Sequence, residues 1–249
     1  MIRANLSAAS TLVADGAGPA QSMLPRSSQR HRRPRAYHSE PGAQRQPADG
    51  ALRRGVDLTV ALVGLAIATP VLAVLAVAVQ LTSKGPWLFR QTRVGRGEQP
   101  FEMWKLRTMV ADTNGAGSLV SGPGDPRITR MGAWLRPRRL DELPQLVNLL
   151  RGDLTLFGSR PEVPRFIPYY TGAERQILQV RPGIIGPGAV LFASGQDSEL
   201  DAVDDADAYY VAHHLHSRLA LDLHYFADRT VRRDLTLLIR ALGVCVRNG

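Results

Sequence analysis

Asp141 and Glu142 stand side by side in RRLDELPQLVNLLRGDLTLFGSRPE, residues 138–162. Arginines approach the pair from both directions, in LRPRRL before it and GSRPE after it. Arg127, Arg130, Arg136, Arg138 and Arg139 all precede it within the stretch 126–140. One reading is purely structural, with Asp141 an N-cap and Glu142 a favourable first-turn acid. The other is chemical. A helix N-terminus and guanidinium groups suit a diphosphate, and carboxylates among them can attack phosphorus or hold Mg²⁺ against it. An unperturbed aspartate is ionised at neutral pH and needs no base to act as a nucleophile.

Several elements must position this pair. Leu143, Leu146, Val147 and Leu150 follow helical spacing, which predicts a helix from about Asp141, with Pro144 in its first turn and Gly152 as its stop. Upstream, two β-rich runs at 87–94 and 100–107 flank Gly95-Arg96-Gly97 and predict a hairpin. Lys105 and Arg107 then share one strand face, either as a solvated face or as ligand contacts. Residues 112–125 read as a loop, a connection or a lid, and RPGIIGPG at 181–188 as a second loop carrying Arg181. The acidic stretch DSELDAVDDADAYY reads as a solvated loop and helix start. His213, His214 and His216 have no convincingly spaced partner ligand and are read as structural.

Residues 58–79 form a 22-residue stretch with no charge, long enough to enter a bilayer. Thr69-Pro70 falls at its midpoint and predicts a break, with the Thr69 hydroxyl satisfying a freed carbonyl. Basic residues lie on both flanks: Arg53 and Arg54 before, and Lys84, Arg90, Arg93 and Arg96 after. Both ends therefore read as cytoplasmic, in a helix that enters and returns through one leaflet; a kinked span stays open. The last stretch, from Arg229, combines Val231, Leu235, Leu238, Ile239 and Leu242 with arginines. It is a basic amphipathic helix, suited either to core packing or to an anionic membrane surface.

The formal net charge is +9, which calls for an anionic partner. Nine arginines against three acidic residues fall within residues 1–55, so the first 50 residues read as a disordered basic tail. That tail gives weak support to nucleic-acid binding, but no such motif accompanies it and the apolar stretch opposes it. Cys245 is the single cysteine, so no internal disulfide forms.

GPWLFRQTRVG, MWKLRTM, DPRITRMGAWLR, LDELPQLVNLLRGDLTLFGSRPE and RPGIIGP together resemble the bacterial sugar transferases, the monotopic phosphoglycosyl transferases, in their short catalytic-core form. The resemblance covers about residues 52–245. It implies an α+β, mainly helical fold: a re-entrant membrane helix broken at Thr69-Pro70, a hairpin, and interfacial amphipathic helices around a cytoplasmic catalytic part. Residues 51–249 would form that domain, at the cytoplasmic face of the cell (inner) membrane.

It also implies a reaction. Asp141 attacks the β-phosphate of a UDP-sugar, releases UMP and carries the phosphosugar until polyprenyl phosphate takes it. This is the first membrane step of exopolysaccharide, O-antigen or glycoprotein glycan assembly. Glu142, with Asp141, is associated with Mg²⁺. Lys105, Arg107, Arg136, Arg160, Pro161 and Arg181 contact phosphates or the carrier head group. The sequence departs from the family pattern at Ser159, where proline is usual, and at Ile185, where a threonine-containing form is commoner. A non-catalytic membrane scaffold of the same fold is the competing reading. The sugar and the oligomeric state, a homodimer included, stay undecided.

Overall fold

The computed structural model describes residues 50–110, 117–192 and 196–248; side chains of 192–198 and 246–248 are outside that description. The expected tail and the first part of the expected loop therefore lie outside the described residues. The described chain is mainly helical, with two small two-stranded sheets.

Helix α1 spans Ala51–Thr82 and is, among the described residues, the one helix long and apolar enough to cross a membrane. Contrary to the expected break, it is continuous through Pro70. Proline removes one helical donor, and the rest of the ladder holds. The Thr69 hydroxyl donates to Leu65 O at 2.6 Å. That is not the carbonyl freed by Pro70, which in a regular helix is that of Ala66. One stripe of α1 is buried: Asp57, Ala61, Ala68, Leu75 and Val79. The other faces leave Leu62, Ile67, Val74 and Val77 bare, Ile67 and Val74 at 69% exposure each. An exposed apolar surface of that extent marks a protein or membrane contact.

The strands β1 (Leu88–Val94) and β2 (Pro100–Leu106) form the expected antiparallel hairpin, paired from Leu88↔Leu106 to Val94↔Pro100. Its turn uses left-handed backbone at Gly97, φ 65°, and at Glu98, φ 61°. After α2 (Arg130–Leu135) comes α3 (Gln145–Arg151), shorter than predicted. Asp141 and Glu142 lie before it on a single 3₁₀ turn, Leu140–Glu142, and Pro144 is its N-cap. Gly152 ends it as expected, with φ 88°. The most buried face of α3 is polar: Gln145 and Asn148 lie there beside Leu149. Asn148 accepts from Trp104 N at 3.0 Å and donates to Glu102 O at 2.7 Å and to Asp153 at 3.0 Å. It docks α3 on the free edge of β2.

Short parallel strands β3 (Thr155–Phe157) and β4 (Gly183–Ile185) follow, then α4 (Pro187–Phe192), α5 (Ala206–Tyr209), α6 (His216–Ala227) and α7 (Val231–Asn248). A π-helical stretch, Tyr210–Leu215, joins α5 to α6. The main core gathers Val163, Phe166, Ile177, Leu215, Leu219 and Leu237. A second cluster, Leu75, Val79, Leu106 and Leu135, sits where α1 meets β2 and α2.

This body holds α1 close to both of its ends. Near the start, Arg54 donates to Leu149 O at 2.8 Å and Leu150 O at 2.7 Å, capping α3. Asp57 accepts from the Thr155 hydroxyl and Leu156 N, each at 2.9 Å. At the far end Arg107 donates to Lys84 O, to Ser83 O at 2.7 Å and to Val79 O at 3.5 Å.

Replacing Asn148 with leucine should destabilise the protein by about 2–3 kcal/mol, since it leaves Trp104 N and Glu102 O unpaired where they are covered. A thermal melt in detergent reads this directly, and an unshifted midpoint would contradict the docking role.

Candidate active site

The acidic pair divides its labour. Glu142 accepts a bidentate pair of hydrogen bonds from Arg160, Nη1 to Oε2 at 3.2 Å and Nη2 to Oε1. Lys105 Nζ and Arg139 Nη1 each stand 3.4 Å from Oε1. Burial alone would raise the Glu142 carboxyl; Arg160, then Lys105 and Arg139, hold it well below the usual carboxylate range. Arg139 reaches inward from left-handed backbone at φ 57°. Such a backbone in a non-glycine residue is a small local cost, often found at functional sites.

Asp141 has the opposite character. It is 7% exposed, and its Oδ1 is buried without accepting a hydrogen bond. Burial first, then the neighbouring Glu142 charge, pushes its carboxyl up, against Lys105, Arg136 and Arg160. The expectation of an unperturbed carboxylate is therefore corrected: burial and the Glu142 charge disfavour the ionised form of Asp141.

The predicted site residues fall into two groups. Lys105, Arg136 and Arg160 converge on the pair, joined by Arg139, which was not among them. Arg136 also donates to the Ser121 hydroxyl at 2.6 Å, which fixes its direction. Lys105 is held down to about 8 by burial and by Arg160, against the pull of Glu142. Arg181 is half-buried and makes no hydrogen bond or ion pair among the described residues, so its guanidinium is available. Arg107 does not join them. Its guanidinium is occupied by carbonyls at the end of α1, because β2 delivers residue 107 beneath that terminus rather than beside Glu142. Pro161 is buried and its carbonyl accepts from Arg93 at 3.1 Å, so it shapes the backbone.

Sequence reasoning missed the support beneath the pair. The loops of Arg160 and Arg181 touch backbone to backbone: Gly183 N donates to Ser159 O at 2.8 Å and Gly158 N to Ile185 O at 3.0 Å. A Cβ on Gly158 would stand 2.6 Å from Gly183 N, so no side chain fits between them. The acidic stretch is not simply solvated. Asp207 is buried and accepts from the Ser118 hydroxyl, from Leu119 N at 2.8 Å and from Val120 N at 3.1 Å. That pins the loop carrying Ser121, and through it Arg136. No periodicity marks such a long-range carboxylate anchor. The three histidines have separate partners: His216 with Glu174 at 2.8 Å, His214 with Glu199 at 3.5 Å, and His213 with Tyr209 O at 3.1 Å.

A buried carboxylate, free on one oxygen and ringed by cations, matches a phosphoryl-transfer site. Comparison with known proteins agrees. A family model described as bacterial sugar transferase matches residues 48–248. The chain belongs to the bacterial sugar transferase family. Among relatives, it is 35% identical over 193 residues to the UDP-glucose:undecaprenyl-phosphate glucose-1-phosphate transferase of Caulobacter vibrioides, a match covering 76% of this chain and 68% of that protein. It is 36% identical to the UDP-N-acetylgalactosamine-undecaprenyl-phosphate N-acetylgalactosaminephosphotransferase of Aeromonas hydrophila, over 66% of this chain and 40% of the relative. It is 32% identical to the UDP-glucose:undecaprenyl-phosphate glucose-1-phosphate transferase of Escherichia coli strain K12, over 75% and 38%. The chain thus spans about two fifths of the longer relatives.

Lys105 should titrate near 8 rather than near the ordinary value of about 10.4. In Glu142→Gln the anion that favours its charged form is gone, so the midpoint should fall further. Nuclear magnetic resonance of isotopically labelled, dimethylated lysines reads both values. A midpoint above 10 in the unaltered protein would contradict the site's electrostatics.

Proposed function

We propose that this family member transfers a sugar-1-phosphate from a UDP-sugar to polyprenyl phosphate, of the undecaprenyl type named for its relatives. The products are a polyprenyl-diphosphate sugar and UMP. One observation carries the reading: Asp141 keeps a buried, unpartnered carboxylate oxygen beside a carboxylate already neutralised by three cations.

The chemistry follows from that division. Asp141 attacks the β-phosphorus of the UDP-sugar. A carboxylate–phosphorus bond forms, the bond to the UMP oxygen breaks, and UMP leaves with the electron pair. An oxygen of polyprenyl phosphate then attacks the same phosphorus, and the Asp141 carboxylate departs. Arg136 and Lys105 flank Asp141 and reduce the repulsion between its charge and the diphosphate. Arg160 holds Glu142 with one face of its guanidinium fork and has further donors for a phosphate. Arg181 supplies a free cation from the adjoining loop.

Mg²⁺ fits this site through Asp141 more than through Glu142. The unpartnered Oδ1 is the kind of hard oxygen it takes, together with substrate phosphates, whereas both Glu142 oxygens are engaged by cations. Among the described residues no group of three His, Cys, Asp or Glu could hold a metal ion, so the substrate would supply most of the ligands. When bound, the ion would offset diphosphate charge.

A cytoplasmic-leaflet placement agrees with the fold. The same body holds Arg54 and Asp57 near one end of α1 and Ser83 near the other. Basic residues flank both ends, so both ends on the cytoplasmic side is the favoured topology. On α7, Leu237 and Val244 face the core while Val231, Leu235, Ile239 and Leu242 stay exposed among Arg232, Arg233 and Arg240. That stripe suits an anionic lipid surface. The resulting role is the first membrane step of a glycan pathway, exopolysaccharide assembly among the candidates.

Purified enzyme with Mg²⁺, undecaprenyl phosphate and a panel of UDP-sugars should release UMP with at least one sugar. Asp141→Asn should lower that rate at least about a thousandfold while membrane localisation is unchanged. Mass spectrometry of the trapped enzyme should show the Asp141 peptide heavier by a phosphosugar. Normal turnover by the variant would defeat the nucleophile assignment, and with it the distinction from a non-catalytic scaffold. For topology, Gly50→Cys and Lys84→Cys should both escape an impermeant thiol reagent applied outside the cell; labelling of one alone would mean a full span.

A further inference from the structure

The segment Gly158–Glu162 carries Arg160 to Glu142, and the two residues that hold it lie one helical turn apart on α6. Asp222 is fully buried. Its Oδ2 accepts from the Ser159 hydroxyl at 2.6 Å, and its Oδ1 accepts from Gly188 N at 2.9 Å. Arg218 donates to Glu162 Oε2. Tyr210 OH donates to the same oxygen at 2.7 Å, while Arg93 stands 3.6 Å from Oε1. Residues four apart on a helix share a face, so Arg218 and Asp222 present one paired surface. It grips the chain immediately before Arg160 and two residues after it. The π-helical stretch ahead of α6 is a rare winding, frequent at functional sites. Here it brings Tyr210 onto the same carboxylate as Arg218. Gly188 packs directly against α6, since a Cβ there would meet Arg218.

We infer that Asp222, acting through Ser159, is a positioning residue for Arg160: with Arg218 it forms a clamp on α6 that aims the Arg160 guanidinium at Glu142 and the substrate diphosphate. Asp222 touches no reacting atom. Its second acceptor links the clamp to the start of α4, so the loop that follows Arg181 is fixed by the same side chain. Burial pushes the Asp222 carboxyl up, despite the hydrogen bonds from Ser159 and Gly188. The geometry asks for two hydrogen-bonding atoms at this position, one for Gly188 N and one for the Ser159 hydroxyl. A neutral isostere can accept from Gly188 N and donate to the Ser159 oxygen. The inference rests on the proposed transfer reaction for its catalytic consequence, but the clamp itself can be read without turnover.

The experiment uses the full chain in detergent or nanodiscs. Ser159→Ala and Asp222→Ala should each lower kcat for UMP release at least about tenfold, the scale expected when a contact is misplaced by an ångström or less. Asp222→Asn should recover most of that loss. In an Arg160→Lys background, which keeps the charge but not the fork, Ser159→Ala should cost no more than about twofold. Hydrogen exchange at residues 158–163 should be about tenfold faster in Ser159→Ala than in the unaltered protein. Wild-type rates in Ser159→Ala, an undiminished loss in the Arg160→Lys background, or asparagine no better than alanine would each overturn the inference. If the unaltered enzyme releases no UMP from any UDP-sugar, the proposed reaction falls. Exchange then decides the clamp: unchanged protection in Ser159→Ala refutes it.

Discussion

The Arg160–Glu142 ion pair is the contact around which the site is arranged. Two adjacent carboxylates cannot both be buried as anions without a cation to offset one of them. Arg160, Lys105 and Arg139 do this for Glu142 and leave Asp141 unpartnered on one oxygen. If the cations were shared evenly, both carboxylates would be capped and neither would keep an unpartnered oxygen. The asymmetry is set by the short 3₁₀ turn, which sends neighbouring side chains in different directions. The left-handed backbone at Arg139 begins that turn.

Holding that asymmetry takes most of the body. The hairpin brings Lys105 to Glu142, and α3, docked on the same strand by Asn148, keeps the turn against it. The contact of Gly158 with Gly183 sets the Arg160 loop against the Arg181 loop. Beneath them lies a layer of buried charge, in which Glu162 is held below its usual range by Arg218 and Arg93. Buried pairs of this kind add little net stability, since desolvation offsets their attraction. Their presence here is better explained by the geometry they impose on Arg160.

Local pattern revealed the elements that are governed locally. The hairpin was legible because alternation and a glycine turn specify it. Gly152 was legible as a helix stop because left-handed backbone favours glycine. The acidic pair was legible from its arginine surroundings. The start of α3 was misplaced because apolar spacing at Leu143 and Leu146 also fits a 3₁₀ turn leading into a helix. Its polar buried face was hidden because Asn148 and Gln145 look like solvated residues in a single sequence. Arg107 was misassigned because strand alternation places it with Lys105, while only the tertiary fold shows α1 ending above it. Asp207 and Asp222 were invisible as anchors, since their partners lie roughly 90 and 60 residues away. The resemblance to a family supplied the reaction, which spacing alone left as one of several options.

Asp57 shows that α1 is more than a tether. Its carboxylate fills an acceptor position that Thr155 and Leu156 require, one residue before the uncharged stretch begins. Removing α1 would take away that acceptor and leave both donors unpaired at the root of β3, next to the loop that carries Arg160. Grafting α1 onto a different protein would carry a carboxylate without its two donors to the end of the apolar stretch. The apolar helix and the body thus complete each other's hydrogen bonding and do not separate cleanly into modules.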